Sequence, residues 1–395
     1  MKKVQYILTL TLLAFVVLGW PALGSAQSVE KTEDIVAEQA LDKHETEKTD
    51  LSETADKASA GGVDEEQDKE NSSDIDVNEL VFGHINDAYW WHIVSFGDCH
   101  VSLPLPVIIK GNDGWHVFSS RHIEEEGEYA GFYLAEGGTY DGKLVTKNEK
   151  GEEIRPLDLS ITKNVLGMFI NGALLVFCIL SCARWYKKHS FEEEAPRGGV
   201  GMMESLILMI YNDLIKECVG PDYRRYAPYL LTAFFFILIS NLMGLVPIFP
   251  GGANITGNIA ITFVLAMCTF IMTNLFGSKT YWKDVFWPEV PVWLKAPVPM
   301  MPVIEFFGLF TKPFALMVRL FANIMAGHAI ILSLLAIIFI TVKLGPVING
   351  PMTVISVAFA MFMTALEVLV AFIQAYVFTM LSAVFIGLSR VHEEE

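Results

Sequence analysis

Near its C-terminal end the sequence carries two apolar runs, residues 302–342 and 351–390, each about twice as long as a lipid bilayer requires. At a rise of 1.5 Å per residue, about 41 helical residues extend for roughly 60 Å against about 30 Å of hydrocarbon. Ordinary tilts of about 20° do not close that gap. Either each run is broken, or the two helices form a steeply tilted hairpin. Pro313 offers a kink near the start of the first run; the second has no strong breaker between Pro351 and Gly387. Three shorter apolar runs precede them, at 164–185, 227–248 and 258–276. The expected fold is an all-α membrane protein of about five spans, the last two long and tilted. Residues 202–218 mix apolar with charged side chains, which suits a helix lying along the membrane face. A hydrophobic share of 52% agrees with a membrane class.

A net charge of −17 conflicts with that class only until the charge is located. Residues 27–79 hold about 18 acidic against about 5 basic side chains and no aromatic ring. Such a tract cannot bury enough apolar surface to offset chain entropy. It reads as a disordered, solvated linker, with an acidic partner-binding tail as the other possibility. Before it, Lys2 and Lys3, a short apolar core over 7–18 and Gly24-Ser25-Ala26 have the pattern of a secretory signal over residues 1–26.

Residues 80–158 form a third compositional zone. Asn112-Asp113-Gly114 and Tyr140-Asp141-Gly142 supply turn chemistry between short alternating runs, so a small β-rich exported region is expected, its start (78–91) strand, helix or interfacial. The membrane domain then covers 159–395. Gly137-Gly138-Thr139-Tyr140-Asp141-Gly142-Lys143 mimics the spacing of a phosphate-binding loop. However, Leu144 stands where a magnesium-binding hydroxyl belongs and no helix follows, so a hairpin turn is the better reading. No nucleotide, nucleic acid, cofactor or metal site is expected. Cys178 and Cys182 lie one helical turn apart, and Cys99 and Cys268 stand alone, spacings that suit packing.

Basic residues set the expected orientation. Arg184, Lys187, Lys188, Arg197, Arg224 and Arg225 follow the first run, and Lys279, Lys283 and Lys295 follow the third. The positive-inside rule then runs the first span from the exported side to the cytoplasm and leaves the C-terminus cytoplasmic.

Arg319 is the costly residue. An ionised side chain at membrane depth costs about 2.5–3.5 kcal/mol on insertion scales. Arginine cannot escape by losing its proton. About 20 apolar-rich residues follow it, too many for simple snorkelling to a helix end. On a continuous helix Glu305, Lys312 and Arg319 share a face, with Asn323 one turn on and the small residues Gly308, Ala315 and Ala326 close by. His328 points to the opposite side. In the last run Glu367 and Gln374 share a face. A buried His near a carboxylate reads either as a proton relay or as a structural pair. Asn241, Asn254 and Asn258 are weaker channel candidates, explained equally well by capping or loop satisfaction.

These residues resemble a known pattern. Glu305, Lys312-Pro313 and Arg319-Leu320-Phe321-Ala322-Asn323 through Gly327-His328 resemble the signature of subunit a of F-type ATP synthases. Asn241-Leu242-Met243-Gly244-Leu245-Val246-Pro247, Glu367 through Gln374-Ala375-Tyr376-Val377-Phe378 and Phe82-Gly83-His84 resemble further motifs of that family. The resemblance covers about 163–390. It implies two long tilted helices packed against a ring of c subunits in a bacterial inner membrane, with peripheral-stalk b subunits and the rest of the synthase as partners. It implies that Arg319 faces the ring carboxylate between two offset half-channels. Asn323, His328, Glu367 and Gln374 would serve the exported-side half-channel and Glu305 the cytoplasmic one. Many bacterial members carry a carboxylate where His328 stands and a histidine where Glu367 stands; here the two are exchanged. Residues 27–158 fall outside the usual pattern. The expected role is thus a non-catalytic, proton-conducting stator subunit. A secondary transporter with a charged midplane site is the alternative, although no internal repeat supports it.

Overall fold

A computed structural model describes residues 87–390, apart from 97–98, 112–113, 136–139, 141, 148–152, 190–195, 247–250, 287–299 and 343–344. The signal-like segment, the acidic tract and Phe82-Gly83-His84 lie outside the described residues.

The first described region is β-rich. Strands β1 (Trp90–Phe96) and β2 (Cys99–Pro104) pair antiparallel. β3 (Pro106–Gly111) lies between β4 (Gly114–Ser119) and β9 (Leu157–Asp158), antiparallel to both. A short helix, α1 (Arg121–Glu126), leads to a four-stranded sheet of β5 (Glu128–Tyr129), β6 (Phe132–Leu134), β7 (Leu144–Lys147) and β8 (Glu153–Ile154). The alternation in β3 and β4 turns Val107 and Ile109 inward, where they join Tyr89, Ile123, Phe132 and Leu144 in a small core. Gly114 closes the β3–β4 hairpin at φ 130°, a value other residues seldom adopt. The glycine–lysine decoy falls between the antiparallel strands β6 and β7. Ala135 and Lys143 are hydrogen-bonded across that connection and a strand follows, so the described part of it is a hairpin.

The rest of the chain is helical: α2 (Lys163–Lys188), α3 (Gly199–Leu208), α4 (Tyr223–Leu245), α5 (Ile259–Leu275), α6 (Lys279–Phe286), α7 (Met300–Val342) and α8 (Pro346–Ser389). A π-helical turn, Met209–Ile215, and a short stretch, Lys216–Val219, join α3 towards α4. Among the described residues four helices are long and apolar enough to cross a membrane, or five if α5 and α6, bent by 101°, make one span. The run at 258–276 is therefore shorter as a helix than a bilayer needs. The two long runs are unbroken. Pro313 lies inside α7, and α8 begins at Pro346, with Pro351 inside its second turn. Proline suits the first helical position because its missing N–H is an orphan there. Thr341 Oγ1 donates to Asn349 Oδ1 at 2.8 Å across the α7–α8 turn.

α4 sits at the centre. Tyr226, Leu230, Phe234 and Ile237 are almost fully buried among residues of α2, α5, α7 and α8. Hydroxyls and amides add interhelical bonds where water is scarce. Tyr229 and Thr269 pair at 2.8 Å, Thr269 and Ser382 at 3.2 Å, and Asn171 donates to Ser240 at 3.4 Å. Trp91 and Leu103 of the β region also pack into this helical core.

Candidate functional site

The long hairpin brings α7 against α8 and sorts their polar residues onto two faces. His328 turns towards α8, where its Nδ1 lies 2.5 Å from Glu367 Oε1. The Glu367 side chain is 4% exposed, and its Oε2 is buried with no hydrogen-bond partner among the described residues. Gly327 makes this contact possible. A Cβ there would lie 2.8 Å from Glu367 Oε1, so the carboxylate rests on bare helix backbone. On the other side, a Cβ on Gly244 of α4 would stand 3.7 Å from His328 Nε2. The imidazole thus bridges α4, α7 and α8.

A second group fixes α8 near the same level. Thr256 Oγ1 donates to Asn241 Oδ1 at 2.6 Å, and Asn241 Nδ2 donates to the Ala371 carbonyl at 3.3 Å, one turn beyond Glu367. Gln374 is buried on the same face of α8. The other two asparagines have local partners. Asn258 caps α5 by accepting from the Ala260 N–H, and Asn254 Oδ1 accepts from Gly257 N–H, each at 3.0 Å.

Arg319 lies on the opposite face of α7. It is exposed, and among the described residues no ion pair involves it. Ala315, Ala322 and Ala326 are exposed beside it, Asn323 is half-buried one turn on, and Gly308 has open space where a Cβ would stand. This surface is a groove of small side chains with a cation in its middle. Lys312 turns aside, its Nζ 5.7 Å from the Phe385 ring centre. Glu305 is half-buried within electrostatic reach of Tyr281 on α6. The structure thus brings His328 and Glu367 together, fixes α8 one turn on through Asn241, buries Gln374 a further turn along the same face, and leaves Arg319 apart.

Gly327, Gly244 and Thr256 escape a reading of residue types because none ionises. A lone glycine inside an apolar helix is the available signal, since it costs about 1 kcal/mol relative to alanine and so points to a packing reason.

Long apolar helices with a fixed cation and a buried histidine–carboxylate pair define a polytopic membrane protein with ionisable groups at membrane depth. Residues 165–387 match the family model described as ATP synthase A chain, and residues 80–159 match a domain of unknown function, DUF8433. The chain is 44% identical over 250 residues to ATP synthase subunit a of Chloroherpeton thalassium, covering 61% of this chain and 70% of that one. To subunit a of Chlorobium phaeobacteroides it is 40% identical over 315 residues, 76% of this chain and 87% of that one. To that of Myxococcus xanthus it is 42% identical over 253 residues, 61% and 78% respectively. The chain belongs to the ATP synthase subunit a family, and so is a proton-translocating subunit of the membrane sector that works with other synthase subunits.

Proposed function

We propose that this chain is the stator half of a rotary proton path, and that Arg319 is the fixed cation past which each carboxylate of a c-ring moves. The observation that carries this reading is the exposure of Arg319 on a stripe of small side chains, with no ion pair to it among the described residues. A guanidinium at membrane depth needs a counter-charge or water. The stripe leaves room for a partner helix to bring one. The cation favours the ionised form of the passing carboxylate, and its permanent charge blocks protons from crossing directly between two offset half-channels.

His328, Glu367 and Gln374, with Asn323 nearer Arg319, serve the exported-side half-channel, and Glu305 serves the cytoplasmic side. An imidazole against a carboxylate moves a proton without a large change in local charge, because one partner gains as the other loses. Histidine in the pair favours protons over sodium. Asn241, and more distantly Asn254 and Asn258, order the wall of the same half-channel. The chain itself performs no nucleotide chemistry. The β region lies on the exported side, behind a signal at 1–26 and an acidic linker at 27–79, and the C-terminus is cytoplasmic.

The test is Arg319→Ala in the complete synthase in sealed vesicles. ATP-driven proton pumping is lost while the complex still assembles; normal pumping by an assembled variant overturns the reading.

A further inference from the structure

The β region carries a surface that proton movement does not use. Antiparallel pairing places Leu157, Lys110 and Trp115 side by side across β9, β3 and β4. The register continues past β9, because Leu159 N–H donates to the Ile108 carbonyl and Ile161 N–H to the Pro106 carbonyl. Alternation therefore puts Leu159, Ile108 and Val117 in the next row of the same face, and Ile161 and Pro106 in the row after it. The opposite face of this sheet packs on the small core. The described residues leave this one open, with Trp115 54% and Val117 68% exposed. Lys110 on this face lies with Nζ 5.9 Å from the Trp115 ring centre.

Two observations say what covers it. The first is continuity. The strand carrying Leu157, Leu159 and Ile161 runs directly into α2, which begins at Lys163 and is long and apolar enough to span the bilayer. The β region as a whole is also held to that helix through the chain before and in β1, and Tyr89 next to it donates to Asp158 of β9. Lys163 N–H donates to the Ala88 carbonyl, Asn164 N–H donates to Asp87 Oδ1, and Trp91 packs into the helical core. The sheet cannot swing away from the membrane surface at which α2 starts. The second is chemistry. Tryptophan with a neighbouring lysine suits the headgroup level, where the ring sits among glycerol and upper acyl groups while the ammonium reaches phosphate and water. The exposed acidic residues Glu124, Glu125 and Glu126 lie on α1, apart from this face.

We infer that the outward face of β3, β4 and β9 lies on the phospholipid surface at the N-terminal end of α2, with Trp115 and Val117 entering the headgroup–acyl boundary and Lys110 on lipid phosphate. The described part of residues 80–159, which match the model of a domain of unknown function, thereby acts as an interfacial anchor for the first span. The inference needs the membrane location of the chain and does not depend on the direction in which α2 crosses.

Tryptophan fluorescence tests it in the intact synthase, reconstituted in phosphatidylethanolamine–phosphatidylglycerol vesicles. The emission lost on Trp115→Phe isolates Trp115 from the other tryptophans. That component is quenched by lipids brominated on the upper acyl chain and protected from aqueous iodide. Adding Val117→Trp on the Trp115→Phe background restores a component with the same behaviour. Quenching by iodide but not by brominated lipid overturns the inference, because the face is then in water. Quenching by neither also overturns it, because another protein then covers the face.

Discussion

At the scale of single residues, the site works through two groups that treat their surroundings in opposite ways. Arg319 is exposed and makes no ion pair among the described residues, so the proposed role gives it a partner outside the chain. Glu367 is enclosed, and one of its oxygens is satisfied by His328 alone. The fit of that carboxylate against Gly327 is tight enough to test. Gly327→Ala puts a methyl 2.8 Å from Glu367 Oε1, so the carboxylate or the helix must shift. Overpacking of this kind costs about 1–3 kcal/mol. The variant is expected to assemble with reduced thermal stability and to pump protons poorly; unchanged pumping in vesicles contradicts the role given to the pair's geometry. The pair itself gives a second expectation. Glu367→Gln removes one titrating partner and is expected to abolish pumping. The exchange His328→Glu with Glu367→His keeps one of each and retains part of it, read as the rate of ATP-driven acidification. The residue types at 319, 328 and 367 are legible in the sequence because ionisable groups stand out among apolar ones. A pairing of 328 with 367 is also expected if the last two helices run antiparallel, but its geometry, with the carboxylate against Gly327, is not, because it spans 39 positions and depends on how two helices pack.

At the scale of elements, the ends of helices show what holds the parts together. The first span is capped from 77 residues away by half-buried Asp87, whose Oδ1 accepts the Asn164 N–H at 3.0 Å. Removal from water raises its carboxyl above the ordinary 3.8, even though the hydrogen bond from Asn164 and the nearby lysines pull it down. A carboxyl that holds its proton more tightly when folded stabilises the fold most below 3.8, and that contribution is lost as pH rises through the raised value. The β region is therefore expected to melt at higher temperature in mild acid than at neutral pH. Asp87→Asn, which keeps an acceptor for Asn164, is expected to flatten that dependence in calorimetry across the same range. At the other end of the chain, Arg390 pairs with Asp222 at 2.8 Å and donates to the Phe276 carbonyl at 3.0 Å, fastening α8 to the corner between α5 and α6. The positions of the long helices follow from unbroken apolar runs, which only a helix can carry through lipid. Their starts follow less well. The second long run reads as starting at Pro351, yet the helix begins at Pro346, where a proline loses no helical bond, and continues through Pro351 at the loss of one. Of the strand Trp90–Phe96 only the opening tryptophans fall in the stretch, 78–91, where strand, helix and interface all remain open in the sequence, and packing of Trp91 against the helices decides the matter there.

At the scale of the whole molecule, the two faces of the α7–α8 hairpin differ in what they ask of the surroundings. One packs on α4 and carries the His328–Glu367 contact. The other leaves Arg319, Ala315, Ala322 and Ala326 uncovered, flanked by exposed large apolar side chains such as Phe314, Val318 and Ile330. Lipid solvates the large side chains well, but it does not answer an arginine. A stripe of small residues costs dispersion contacts unless a partner helix comes close enough to supply them. The described part of the hairpin is thus incomplete along this line, and the line runs through the residue on which the proposed mechanism depends. This separates association from folding. Ala322 is exposed, so Ala322→Trp disturbs little within the chain itself but fills the groove where a partner helix would lie. The variant is expected to keep the thermal midpoint of the isolated subunit in detergent and to lose co-purification with the c-ring. Retained co-purification removes this stripe as the contact. A fall in the midpoint of the isolated chain means instead that the groove is part of the chain's own fold. A loss of the ring with an unchanged midpoint assigns the stripe around Arg319 to the contact with the partner, as the proposed mechanism requires.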